Sequence, residues 1–242
     1  MMIGARYYFY LRKRQQLPSA LQGQGFVVLL GCLAGASFGN KFVFWLEVPH
    51  LWTTASGWKE FLFSGQSIVG GLLGGLIGVE IAKKLCAYRQ STGDLFVFPI
   101  LLGLMIGRVG CFLAGLNDGT YGVPTRLPWG VDFGDGLLRH PTQIYEIIFA
   151  GLLWWLLKRG QPKLAAAPGA LFKLMLMAYL LWRFGIDFLK PVPYVYPLGL
   201  SGIQWVCALA LLVYLPFCLP LLRKVWRDRR KIESGTGIEE KT

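Results

Sequence analysis

The amino-acid sequence predicts an all-α, polytopic membrane helix bundle of about six full spans, with a partial helix at the N-terminus. Three observations predict it. Of 242 residues, 54% are hydrophobic and 16% charged, where a soluble domain carries roughly a quarter charged residues. The mean hydropathy is +0.47. Six apolar stretches also approach the roughly 20 residues that a helix needs to cross the hydrocarbon core.

In chain order, Met1 to Tyr10 reads as half a helix running into the basic cluster Arg12-Lys13-Arg14. No short apolar region ending in a small-residue cleavage site follows, so a cleavable leader is not expected. The six spans are expected at about 25–46, 67–83, 95–115, 141–157, 169–188 and 202–222. The second opens on Val69-Gly70-Gly71-Leu72-Leu73-Gly74-Gly75-Leu76-Ile77-Gly78. Small residues four apart let helix backbones approach closely in lipid, and the same glycines leave room for a lipid tail or headgroup. No strand precedes this run and no Gly-Lys-Ser/Thr closes it, which excludes a nucleotide loop. Residues 1–232 form one domain, and 233–242 read as a polar, solvated tail.

The net charge of +12 is a topology signal rather than a nucleic-acid footprint. Arg6, Arg12, Lys13 and Arg14 precede the first full span. Lys83, Lys84 and Arg89 follow the second, Lys158, Arg159 and Lys163 the fourth, and seven Lys and Arg lie between Arg223 and Lys241. The alternate loops hold only Lys59, Arg126, Arg139 and Lys190. The excess of Lys and Arg marks the cytoplasmic side, so both termini are expected in the cytoplasm and loops 47–66, 116–140 and 189–201 outside. The five cysteines form no CxxC pair and have no neighbouring His. Neither a metal site nor a disulfide framework is expected, and no cofactor is called for.

Loop 116–140 is long and rich in turn formers, and it carries Tyr121, Trp129 and Phe133. Long loops in compact proteins are functional or disordered, and aromatic residues suit the membrane interface. Around it stand charges that a membrane makes expensive. Arg108 interrupts an apolar run. Arg183 precedes Asp187 by one helical turn, and Glu146 lies one turn into the fourth span. One reading is structural, with Arg183–Asp187 and Arg108–Glu146 pairs joining helices. The other brings two guanidinium groups from different helices onto one anionic headgroup, which the planar, always-charged Arg fork binds through two parallel hydrogen bonds.

Gly107-Arg108-Val109-Gly110-Cys111-Phe112-Leu113-Ala114-Gly115, then Tyr121-Gly122-Val123-Pro124-Thr125-Arg126-Leu127-Pro128-Trp129-Gly130-Val131, then Arg139-His140-Pro141-Thr142-Gln143-Ile144-Tyr145-Glu146 form an ordered pattern. It resembles the signature of the bacterial prolipoprotein diacylglyceryl transferases. Weaker similarity runs from the Gly-rich span to Ser201-Gly202-Ile203-Gln204.

The resemblance implies an inner-membrane transferase with its active site toward the periplasm. Phosphatidylglycerol would be the donor, and the lipobox cysteine in the signal peptide of a prelipoprotein the acceptor. It implies Arg108 and Arg183 as essential phospholipid-binding and catalytic residues, and Lys190 where a third, headgroup-contacting arginine is usual. Glu146, Arg139, Gln143 and Gly122 match further family positions, and Gly70 and Gly71 fall on its Gly-rich helix. The chain also departs from the family. Ile68-Val69-Gly70 replaces a motif with a catalytic histidine, and its nearest polar neighbours are Gln66 and Ser67. Cys111 replaces an asparagine, Asp118 matches an acidic residue only loosely, and the important tyrosine of the first helix is lost unless Tyr7 or Tyr8 substitutes.

Such chemistry needs a base for the thiol proton, for which His140, Glu146 and Asp118 stand in that order. Cys111 is expected as a small buried side chain. Two further readings stand beside transfer to prelipoproteins. One is a relative using the same phospholipid donor with a different acceptor. The other is a non-catalytic lipid-binding or transport protein.

Overall fold

The computed structural model describes residues 2–16, 23–52, 65–164 and 167–235. Residues 53–64 of the expected outer loop 47–66, with Lys59, and residues 236–242 of the polar tail lie outside the described residues.

Among the described residues the chain forms seven α-helices: α1 (Met2–Arg14), α2 (Gln24–Glu47), α3 (Ile68–Leu85), α4 (Val97–Ala114), α5 (Thr142–Leu164), α6 (Ala170–Ile186) and α7 (Gly202–Gly235). Each expected span is helical with boundaries shifted by a few residues, except that α7 continues thirteen residues beyond Leu222 to Gly235. Three stretches are long and apolar enough to cross a membrane: Gln24–Glu47, Gly93–Asp118 and Gly202–Leu219. The other three are helices that carry charge or fall short. Glu80, Lys83 and Lys84 lie in α3, Glu146, Lys158 and Arg159 in α5, and α6 has 17 residues. Large apolar side chains point outward along the bundle, Phe38 at 66% exposure and Leu212 at 69%. Exposure of that extent suits contact with lipid tails rather than water. This is a helical membrane protein.

The glycines decide how α2 and α3 meet. Gly31, Gly35 and Gly39 on α2 face Gly78, Gly74 and Gly70 on α3. A Cβ on Gly74 would lie 2.2 Å from the Gly35 carbonyl oxygen, and one on Gly70 2.1 Å from that of Gly39. With no hydrophobic drive between helices in lipid, this backbone approach supplies the van der Waals contact that holds the pair. Ser67 caps α3 by accepting from the Gly70 amide at 3.4 Å, and its own amide donates to Asn40 Oδ1 at 2.5 Å. Elsewhere α4 packs on α5, α5 and α7 on α6, α1 on α4, and α2 on α7.

The helices alternate in direction, so the bundle has two unlike ends. At one end lie the basic termini of α1, α3 and α5, with Arg12, Lys83, Lys84, Lys158 and Arg159. At the other lie the ends of α2, α4 and α6, the starts of α3, α5 and α7, and the segments 115–141 and 187–201. Within 115–141 a small antiparallel hairpin pairs Val131 with Arg139 and Asp132 with Leu138. Its turn holds because Asp132 Oδ1 accepts from the amides of Gly134 (2.8 Å) and Gly136 (3.1 Å), both at positive φ. These two short strands are the departure from an all-α chain.

Candidate active site

Four of the charged positions singled out in the sequence meet at the loop-bearing end. Arg108 comes from the last two turns of α4, Glu146 from one turn into α5, Arg183 from the last turn of α6, and Lys190 from the segment that follows it. Arg108 Nε lies 2.8 Å from Glu146 Oε2, and its Nη2 donates to Oε1 at 3.1 Å. The Tyr179 hydroxyl donates to the same Oε1 at 3.2 Å, and Lys190 Nζ stands 3.8 Å from Oε2. All four side chains are buried.

A second pair adjoins the first. Arg183 Nη2 lies 2.9 Å from Asp187 Oδ1, and the Ser201 hydroxyl donates to Asp187 Oδ2. Ser201 is held in turn by Gln204, whose Oε1 accepts from the Ser201 amide at 2.8 Å and whose Nε2 donates to the Phe184 carbonyl at 3.2 Å. Glu47, half-buried at the end of α2, faces Arg183, Asp187 and Lys190. Its backbone abuts Gly202, where a Cβ would come 3.3 Å from the Glu47 Cα.

Both pairs of the structural reading therefore form, yet they do not exhaust the donors. Arg183 Nη1, the Trp182 indole Nε1 and both polar atoms of the Gln143 side chain are buried and have no hydrogen-bond partner among the described residues. Buried donors without partners are costly and rare. Lys190, 8% exposed, is too far from Glu146 for a hydrogen bond, and that carboxylate already takes Arg108 and Tyr179. Burial and the neighbouring Arg183 guanidinium push its ammonium down to about 7.

The remaining expected residues sit around this cluster. Gln143 is buried one turn before Glu146 on α5. His140 stands apart from the carboxylates: its ring nitrogen Nδ1 lies 3.2 Å from the Tyr145 hydroxyl, which also accepts from Trp129 Nε1 at 2.8 Å. Arg139 is engaged by Asp135, with Nε 2.9 Å from Oδ2, and lies over the Tyr121 ring. That guanidinium holds the exposed Asp135 carboxyl below the usual carboxylate range.

Gly122 is where two segments are strapped together. Its amide donates to the His140 carbonyl (2.9 Å), and the next amide, of Val123, donates to the Leu189 carbonyl (2.9 Å). A Cβ on Gly122 would lie 2.5 Å from the His140 Cβ and 2.9 Å from the Leu189 oxygen. Gly70 is taken up by Gly39 of α2, whereas a Cβ on Gly71 would meet only Ala36 and Asn40 at an ordinary contact distance of 3.9 Å.

Tyr7 and Tyr8 do not reach the cluster. Tyr8 stacks on Phe96 at the basic end and accepts from Arg12 Nη1 at 2.9 Å. Phe96 precedes Arg108 by twelve residues, about 18 Å along a helix axis. Cys111 is half-buried rather than buried, with Arg108 Nη1 3.8 Å from its sulfur and the Asp118 carboxylate also at hand. Asp118 itself accepts from the Thr120 hydroxyl at 2.5 Å.

Residues 1–219 match the family described as prolipoprotein diacylglyceryl transferase. The chain belongs to that family. Among relatives named phosphatidylglycerol–prolipoprotein diacylglyceryl transferase, one from Bordetella parapertussis is 38% identical, over 66% of this chain and 59% of that protein. One from Methylobacillus flagellatus is 32% identical, over 80% of this chain and 73% of that protein. A third, from Nitratidesulfovibrio vulgaris, is 29% identical over 80% and 69%. The chain spans about three fifths of the length of the Bordetella relative it matches.

Sequence reasoning missed two members of this buried cluster. Tyr179 looks like aromatic filler in an apolar helix, and Glu47 looks like the polar boundary of a span. The signal for Glu47 was available: a carboxylate closing 23 residues that hold one other charge, Lys41.

Proposed function

We propose that this chain transfers the diacylglyceryl group of phosphatidylglycerol to the thiol of a lipobox cysteine in prelipoproteins. One observation carries the reading. Three buried basic side chains, Arg108, Arg183 and Lys190, gather at one end of the bundle with only part of their hydrogen-bonding capacity used. A phosphate diester accepts from such donors at several points, and charge-assisted bonds of this kind are the strong ones. The names of the relatives support the same donor and acceptor.

In the reaction a thiolate attacks the glycerol carbon that carries the phosphate, and the C–O bond breaks with its electrons on the phosphate oxygen. Arg108 and Arg183 stabilise the charge that develops there. Glu146 fixes the Arg108 fork, Asp187 fixes Arg183, and Ser201 with Gln204 fixes Asp187. The apolar helices around them exclude water that would otherwise screen the guanidinium groups.

The chain crosses the bacterial inner membrane six times, with the thirteen-residue α1 beside the six spans, both termini cytoplasmic and loop 116–140 periplasmic. The basic helix ends opposite the site support this orientation. Purified protein in phosphatidylglycerol nanodiscs, given a peptide with a lipobox cysteine, should yield a thioether-linked diacylglyceryl peptide and release glycerol phosphate. Phospholipid binding without a lipidated peptide would instead favour a different acceptor or a non-catalytic lipid-binding role.

A further inference from the structure

The cluster leaves one question of chemistry open: where the thiol proton goes. The described residues offer few takers. The His140 ring is bonded to Tyr145 and Asp118 to Thr120, while Glu146 accepts from Arg108 and Tyr179 at Oε1 and is ion-paired with Arg108 at Oε2, which holds it as a carboxylate partner of the guanidinium. Arginines stay ionised. Lys190 differs from all of these. Its amine is buried, faces two guanidinium groups, and has no carboxylate within hydrogen-bonding distance, the nearest being Glu146 Oε2 at 3.8 Å. We propose that the amine of Lys190 is the proton acceptor for the attacking thiol. The inference rests on the transfer reaction proposed above and adds the group that starts it.

The charged groups facing Lys190 come from every element around it. Arg108 lies on α4, Glu146 on α5, Arg183 on α6, Asp187 on its own segment and Glu47 on α2. Burial favours the neutral amine, the two guanidinium groups reinforce that, and the carboxylates oppose it. The depression to about 7 agrees with this balance. A lysine suits the task because its proton comes off when buried, whereas an arginine would hold its proton.

The step balances. The Lys190 lone pair takes the S–H proton, the sulfur forms its bond to the glycerol carbon, and the C–O bond to phosphate breaks with its pair on oxygen. The new ammonium and the new phosphate charge arise together, so the buried cluster gains no net charge. The ammonium then passes its proton to the departing glycerol phosphate or to water. A bound phosphodiester is an anion and raises the Lys190 pKa. The kcat limb therefore lies at higher pH than the kcat/KM limb, which reports the free enzyme.

The test uses the full chain in phosphatidylcholine nanodiscs carrying a varied fraction of phosphatidylglycerol, with a lipobox-cysteine peptide, from about pH 5.5 to about pH 9. Wild-type kcat/KM for phosphatidylglycerol, which reports the enzyme without bound donor, should rise through a limb near pH 7. Lys190→Arg holds the protonated form at every pH, so below about pH 7, where Lys190 is itself charged, phosphatidylglycerol affinity should stay within about threefold, while above it kcat falls about 100-fold, the usual worth of a general base, and the limb disappears. A Lys190→Arg variant with wild-type rate and an unchanged limb overturns the proposal. A second measurement is independent of activity. After 13C-dimethylation of the lysines, the signal absent from Lys190→Arg should titrate near pH 7. If it stays protonated beyond about pH 9.5, near the ordinary lysine value, Lys190 is not the acceptor, whatever the rate. A signal titrating near 7 in a protein that lipidates no peptide rejects the transfer reaction and, with it, this role.

Discussion

The Arg108 guanidinium meets the Glu146 carboxylate edge-on, Nε against Oε2 at 2.8 Å and Nη2 against Oε1 at 3.1 Å, with Glu146 fully buried. Removing one charge from such a pair strands the other. Glu146→Gln, which keeps the shape, should destabilise the protein by about 3–5 kcal/mol, read as a lowered Tm in nanodiscs. The double variant Arg108→Gln/Glu146→Gln should recover much of that loss without recovering phosphatidylglycerol binding. A Glu146→Gln protein as stable as wild type would show that the pair is not an interdependent unit.

Arg108→Lys and Arg183→Lys separate charge from geometry. Each keeps the cation and loses the planar fork that grips a carboxylate and, on the proposed reading, would grip a phosphate as well. Membrane insertion should be normal and transfer to a lipobox peptide should drop at least about tenfold in each, the equivalent of about 1.4 kcal/mol of lost transition-state binding. Full activity in both would return Arg108 and Arg183 to a purely structural role.

The glycine seam offers a contrast within one helix. Gly74→Ala must place a Cβ 2.2 Å from the Gly35 carbonyl, whereas at Gly71 the nearest atoms are 3.9 Å away. Gly74→Ala should cost about 1–3 kcal/mol by overpacking, and Gly71→Ala should leave the Tm unchanged. Equal melting temperatures for the two variants would mean that the seam is not what joins α2 to α3.

Orientation is checked at the hairpin. Leu137 is 47% exposed in its turn, so Leu137→Cys, with Cys32, Cys86, Cys111, Cys207 and Cys218 replaced by alanine, should react with a membrane-impermeant maleimide from the periplasmic side. Labelling from the cytoplasmic side alone would invert the topology.

Much of this site was legible because the membrane makes charge conspicuous. Arg108, Glu146 and Arg183 stand out in apolar runs, and a residue that costs energy where it sits needs a reason to be there. The spacing of four along α3 likewise announced a close helix contact. Its partner row, Gly31, Gly35 and Gly39, has the same spacing but is diluted by larger residues, and only the fold pairs the two. Tyr179 could not be read, since a phenol among leucines is indistinguishable from packing until its hydroxyl is seen on Glu146. Lys190 was found by family resemblance alone. Lysines in loops are ordinarily solvated, and its burial is produced by segments distant in sequence: α4, α5, and the strap at Val123.

That strap, the Val123 amide on the Leu189 carbonyl one residue before Lys190, ties segment 120–125 to the backbone that carries the amine, so that an acceptor docking there would make docking and proton uptake two sides of one equilibrium. A peptide that settles against 120–125 pulls on the backbone carrying the amine and so alters its affinity for a proton. By thermodynamic reciprocity the proton must alter the affinity for the peptide by the same factor. A displacement that moves the Lys190 pKa by one unit changes acceptor affinity about tenfold across the titration. Peptide affinity measured as a function of pH thereby becomes a ruler for how far this single backbone bond transmits force.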